Sequence, residues 1–294
     1  MSASPHKDDV TGIDTTGHEW DEIRELNNPL PKWWVYSFYA CIVWSFVYWI
    51  VMPAWPVFMN GAWTYTGGVI GYEQRQVVEN EVAEVTAGRQ HYLDQIAAQD
   101  FDTIRSNGEL MEIALAGGGA AFGDNCAPCH GSGAQGSTGY PNLNDDDWLW
   151  GGSIEDIHLT LQHGIRWESD DDTRLSEMPR FLADEILTKD EVYNVADFVL
   201  AISGQAEMTE SATSGAALFE SQCAACHGSD GTGNRELGAP NLTDAIWLYG
   251  GDRASVVESI ANARAGAMPA WGDRLDPVTV KQLALYVHSL GGGE

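Results

Sequence analysis

The segment NCAPCHGSG at 125–133 returns as QCAACHGSD at 222–230, so the chain carries the pattern C-x-x-C-H twice. The likeness continues beyond the cysteines. YPNLNDDDWLWGG (140–152) answers APNLTDAIWLYGG (239–251), and EMPRF (177–181) answers AMPAW (267–271). Each copy closes on an apolar helical stretch, EVYNVADFVLAIS (191–203) and VTVKQLALYVHSL (278–290). A tandem duplication accounts for this register, and 294 residues leave room for about two domains. The polar, small-residue stretch SGQAEMTESATSG (203–215) marks the joint. The copies differ mainly between the double glycine and the methionine, where Gly152 to Met178 spans 26 residues and Gly251 to Met268 spans 17. The extra length holds the acidic ESDDDT (168–173), to which the sequence assigns no role.

C-x-x-C-H is the attachment pattern of c-type haem. Two cysteine sulfurs form thioethers to the haem edge, and the adjacent histidine is held over the iron. The pattern predicts covalent haem at Cys126 and Cys129, and again at Cys223 and Cys226, with His130 and His227 as axial ligands. Zinc would want the two C-x-x-C pairs folded together as four ligands. A thioredoxin-like motif would need a βαβ setting, which is not visible. Cys41, the fifth cysteine, lies in an apolar run and reads as a small hydrophobe.

The far side of each iron separates electron carriage from chemistry, because a methionine there closes the site and raises the potential. Met178 and Met268 occupy the same place in their repeats, each before a proline, 48 and 41 residues after the histidines. Met111 and Met208 have no counterpart and read as ordinary. His158, His163 and His288 do not repeat and read as surface or core histidines. The ring nitrogen turned away from a metal usually donates to a carbonyl. The PNL of each copy offers Pro141 and Pro240 for that role, and loop shaping is the alternative reading. Trp148 and Trp247 are expected to pack on the haem, or simply in the core.

Residues 33–52, WWVYSFYACIVWSFVYWIVM, hold no charge, and as a helix they span roughly 30 Å, the thickness of a bilayer's hydrocarbon. Trp33, Trp34, Trp49 and Trp55 stand near its ends, where interfacial rings collect. Pro53 and Pro56 stop it. The 32 mostly polar residues ahead of the run speak against a cleaved signal, and its composition speaks against a buried core helix. Lys7, Arg24 and Lys32 precede it, whereas the next cation is Arg75, so the N-terminus is expected in the cytoplasm and the remainder outside.

Residues 53–71 read as a turn leaving the membrane. A helix is expected from Tyr72 to Ala98, with Val78, Val82, Val85, Tyr92 and Ile96 on one face. It could pack on its own domain, or serve as a stalk or as a helix docked on a membrane subunit. A second helix is expected from Glu109 to Asn125, interrupted by a flexible AGGGAAF. The predicted fold is mainly α: an N-terminal tail (1–32), a transmembrane helix (33–52), a connector with an amphipathic helix (53–107), and two tandem cytochrome c domains (108–204 and 211–294). With 43 Asp and Glu against 15 Lys and Arg, the net charge of -28 excludes nucleic acid as a partner. It favours a basic partner, or only solubility.

NNPLPKWWVYSFYACIVWSF leading into one membrane helix that ends MPAWP, then a helical connector and two C-x-x-C-H domains with PNL and MP, resembles the di-haem cytochrome c subunit (subunit III) of cbb3-type cytochrome c oxidases. The resemblance covers nearly the whole chain. It implies two covalently bound haems c and a single-pass protein of the inner membrane with periplasmic haem domains. It also implies electrons accepted from a soluble c-type cytochrome and passed, through a mono-haem subunit, to a catalytic subunit that reduces oxygen and pumps protons. The chain itself would have no catalytic residue. A di-haem peroxidase would need one open haem position, which paired methionines oppose. A dehydrogenase haem subunit fits the N-terminal segment poorly. A free-standing membrane-anchored shuttle would use the same domains but a flexible linker. Whether each methionine serves its own repeat or the other is left open, with the local arrangement preferred.

Overall fold

The computed structural model describes residues 6–293. Two compact units divide at Thr86/Ala87. The first opens with an antiparallel hairpin of β1 (Thr15–Trp20) and β2 (Ile23–Leu26), where the sequence promised only a polar tail. Its turn residues Asp21 and Glu22 both have positive φ, as a tight hairpin turn demands, but they lack the Asn-Gly signature that advertises one. Helix α1 (Lys32–Val51) follows and buries no residue within the chain. Its two serines are satisfied inside the helix, Ser37 Oγ donating to Trp33 O (2.9 Å) and Ser45 Oγ to Cys41 O (2.8 Å). No polar group of theirs is left to face hydrocarbon unpaired.

Residues 53–71 form more than a turn. β3 (Pro56–Met59) and β4 (Ala62–Tyr65) pair through Asn60-Gly61, both at positive φ. The chain then returns to the end of α1, where Val69 N donates to Ile50 O (3.0 Å) and Ile70 N to Val51 O (3.4 Å). Two carbonyls that the helix end leaves without partners are thereby capped. Helix α2 (Gln74–Ala98) begins in the first unit and ends in the second. Val78, Val82 and Val85 on it are exposed, whereas Ile96 is fully buried.

Among the described residues the second unit is helix and loop: α3 (Phe101–Ser106), α4 (Gly108–Asn125), α5 (Ala127–His130), α6 (Ile154–His163), α7 (Lys189–Ile202), α8 (Glu210–Gln222), α9 (Ala224–His227), α10 (Arg253–Asn262) and α11 (Pro277–His288). Local capping sets the starts. Asp100, Asn107, Ser153, Thr188, Thr209, Asp252 and Asp276 each accept a backbone N–H of the first turn of their helix. Thr209 starts α8 inside the expected joint, so the connection between repeats is short.

Helix α4 is unbroken through its glycines, contrary to the expected interruption. The reason is packing. A Cβ on Gly118 would collide with the Gln282 carbonyl and the Tyr286 side chain of α11, and one on Gly117 with the Gln282 side chain. These glycines let two helices approach closely, and burial offsets their poor helix propensity.

The unit has two cores, and they do not follow the repeats. One gathers α4, α6 and α11, with Cys126, Ala127, Leu143, Trp148, Met268 and Trp271. The other gathers α7, α8 and α10, with Cys223, Ala224, Leu242, Trp247, Met178 and Phe181. The front half of each repeat therefore packs with the back half of the other. The backbone bonds match this exchange. Trp271 N donates to Leu161 O and Gly272 N to Gln162 O, while Phe181 N donates to Ile260 O and Leu182 N to Ala261 O.

Candidate haem-binding sites

In each copy the motif forms one helical turn. His130 N donates to Cys126 O (2.9 Å) and Cys129 N to Cys126 O (3.1 Å); His227 and Cys226 repeat this on Cys223 O at 3.0 and 3.1 Å. Positions i, i+3 and i+4 share one helix face, so both sulfurs and the imidazole present together. None of these four cysteines is paired in a disulfide; Cys126 and Cys223 are buried, Cys129 and Cys226 exposed. Burial pushes the Cys126 and Cys223 thiols up to about 11, with the neighbouring thiols adding to the rise. Thiols so raised are protonated at neutral pH, which argues against a thiolate-based redox pair. The two pairs also belong to separate cores, which excludes a four-cysteine zinc site.

His130 Nδ1 lies 3.0 Å from Pro141 O, and His227 Nδ1 lies 3.1 Å from Pro240 O. A carbonyl only accepts, so the proton sits on Nδ1 and Nε2 is left with a lone pair for a metal. Burial lowers both histidine pKa values, opposed by the proline carbonyls, which keeps the rings neutral near pH 7. Two thiols, one neutral imidazole and a thioether within each core fit haem c.

Met268 and Met178 are both half-buried, Met268 against the core that holds Cys126 and Met178 against the core that holds Cys223. Trp148 and Trp247 pack on the cores of their own motifs, and Gly152 and Gly251 stand against their rings with no room for a Cβ. That contact explains the second glycine of WLWGG and WLYGG. The Trp148 indole N–H also donates to Gly292 O. Met111 packs on the first core and Met208 is exposed. His158 rests edge-on against Phe101, and His163 Nδ1 lies 3.2 Å from both carboxylate oxygens of Asp170 in the acidic loop.

Asp147 and Asp244 approach each other in a cleft beside Pro240, together with Arg235. Burial, then the Asp244 and Asp145 carboxylates, push the Asp147 carboxyl up to about 6, with Arg235 pulling the other way. An acid raised in the folded state disfavours its charged form there. Stability should therefore fall as pH rises from about 4 to about 6, the window in which the unfolded chain ionises first. Asp147→Asn is expected to flatten that slope and to stabilise the protein at pH 7 by about 1 kcal/mol, after discounting for partial exposure. Denaturation midpoints measured across this pH range read it directly; an unchanged slope refutes it.

A membrane-length helix followed by two cores, each presenting the haem-attachment turn, defines a membrane-anchored c-type cytochrome. Residues 12–59 match the family described as the N-terminal domain of cytochrome oxidase-cbb3, FixP. Residues 115–203 match cytochrome c, and residues 210–287 match cytochrome c oxidase, cbb3-type, subunit III. The cbb3-type cytochrome c oxidase subunit CcoP of Cereibacter sphaeroides is 49% identical over 294 residues, covering all of both chains. CcoP of Azospirillum sp. (strain B510) is 49% identical over 99% of this chain and 100% of its own. Subunit FixP of Azorhizobium caulinodans is 50% identical over 98% of this chain and 96% of its own. The chain belongs to the CcoP/FixP family of cbb3-type cytochrome c oxidase subunits. It is an electron-transfer cytochrome c subunit of such an oxidase, not the subunit that reduces oxygen.

Arg166, which no sequence motif singles out, donates through its guanidinium to Gly266 O and Ser176 O. No local pattern marks it, because both acceptors are backbone carbonyls, 10 and 100 residues along the chain.

Proposed function

We propose that the chain holds two haems c in exchanged domains and relays electrons from a soluble c-type cytochrome to the remainder of the oxidase. One haem is attached at Cys126 and Cys129 with His130 and Met268 as axial ligands. The other is attached at Cys223 and Cys226 with His227 and Met178. Haem c supplies reversible one-electron carriage, and a methionine opposite histidine raises its potential. The chain's own residues fix the ligands. Pro141 and Pro240 hold the Nδ1 protons and so aim Nε2 of each ring; the MP loops bring a thioether to each core. Helix α1 anchors the chain in the inner membrane, with the N-terminus cytoplasmic and the haem domains periplasmic, in keeping with Lys7, Arg24 and Lys32 ahead of the helix. The acidic surface suits a basic electron donor.

The observation that carries this reading is the pairing, within each core, of one C-x-x-C-H turn with the methionine of the other repeat. The test is purification of the tagged chain from its native membrane in mild detergent. Two c haems per chain, copurifying b-haem subunits and oxygen uptake with a reduced c-type donor are the expected results. A chain that comes alone with two six-coordinate haems and no oxygen uptake would be a free-standing shuttle.

A further inference from the structure

Two segments carry the chain between the cores, Gly164 to Met178 outward and Ala263 to Met268 back, and they meet on the way. Ile165 N donates to Met268 O (3.0 Å) and Met268 N to Ile165 O (2.9 Å). Arg166 N donates to Arg174 O (2.9 Å), and Arg174 N to Gly164 O (3.3 Å). At the crossing stands Arg166, a non-glycine residue at φ 49°. Its side chain is half-buried, its Nε donating to Gly266 O at 2.7 Å and its Nη1 to Ser176 O at 2.9 Å. Gly266 lies two residues before Met268, and Ser176 two residues before Met178. One guanidinium thus ties the backbone leading to both methionines.

We propose that Arg166 is a positioning residue that couples the two methionine loops, so that loosening the thioether of one haem loosens that of the other. This rests on the assignment of Met178 and Met268 as axial ligands. The planar guanidinium directs separate N–H groups at two acceptors in fixed directions; a lysine ammonium at the same place is a single flexible point of charge. Bonds from a charged donor are the stronger kind. Both acceptors are peptide carbonyls, so the side chain fixes backbone positions rather than neutralising a partner. By reciprocity, a coupling felt at one site must be felt equally at the other.

The test uses the intact oxidase and the sulfur-to-iron charge-transfer band of each ferric haem, which reports methionine ligation and does not follow from folding alone. Arg166→Gly removes the side chain while suiting the left-handed backbone at 166. It is expected to raise the methionine-dissociated fraction of both haems about tenfold, with both potentials falling together. Arg166→Lys is expected to restore ligation at no more than one haem. In the Met178→Ala background the haem at Cys126 and Cys129 should show weakened ligation, and Arg166→Gly should add less there than it does with Met178 in place. Bands unchanged at both haems, or changed at only one, in Arg166→Gly would overturn the coupling. Should Met178→Ala and Met268→Ala themselves leave the bands intact, the ligand assignment fails first and takes the coupling with it.

Discussion

Met268→Ala is expected to remove the sixth ligand from the haem attached at Cys126 and Cys129, although Met268 belongs to the other repeat. The thioether packs against the core that holds Cys126; Met111 also packs there but has no counterpart in the second repeat. Loss of the ligand should abolish that haem's sulfur-to-iron band, shift it toward high spin and lower its potential. At about 59 mV per tenfold for a one-electron couple, a fall of about 0.1 V slows uphill delivery by more than tenfold. Met178→Ala should do the same to the haem at Cys223 and Cys226. The assignment becomes unambiguous when each change is combined with Cys126→Ala/Cys129→Ala or Cys223→Ala/Cys226→Ala, which leaves one haem to observe. If Met268→Ala alters only the haem at Cys223, the ligands are local and the exchange is refuted.

The second large effect concerns two glycines. A Cβ on Gly215 would overlap the Asn194 backbone of α7, and one on Gly118 the Gln282 backbone of α11. Backbone cannot move aside as a flexible side chain can. Gly215→Val and Gly118→Val are each expected to cost about 3 kcal/mol or more. For a unit of this size that lowers the thermal midpoint by about 6–12 °C. Gly123 on α4, with open space where its Cβ would be, is the control: Gly123→Ala should leave the midpoint unchanged or slightly higher. Melting followed by circular dichroism in detergent decides it, and equal midpoints for the variants at 118 and 123 would contradict the packing account.

The two positions also show how far the sequence could be read. Twenty uncharged residues leave a bilayer span as the economical reading, and α1 runs over Lys32–Val51. C-x-x-C-H fixes the chemistry because it fixes three side chains on one turn. The expected break in α4 is absent because intrinsic propensity does not decide these glycines: their use, close approach to α11, depends on a partner more than 150 residues away. The hairpin β3–β4 is legible: Asn60-Gly61 between apolar runs is a strong short-range hairpin signal, more specific than the simple turn expected over 53–71. The exchange of halves was not legible. Duplicated repeats present the same helix faces and ligand set whether they close on themselves or on each other, so no residue distinguishes the two. Only three-dimensional packing, α4 on α11 and α7 on α8, separates them.

The most direct test of the electron-relay claim is kinetic. Fully reduced oxidase complex is mixed rapidly with oxygen, and the c-haem absorbance of this chain is followed through turnover. The account predicts that both c haems oxidise at least as fast as oxygen is consumed in steady state, and that Met268→Ala slows their re-reduction by the c-type donor by more than tenfold. Haems that stay reduced while oxygen disappears at the full rate would place this chain off the path of the electrons.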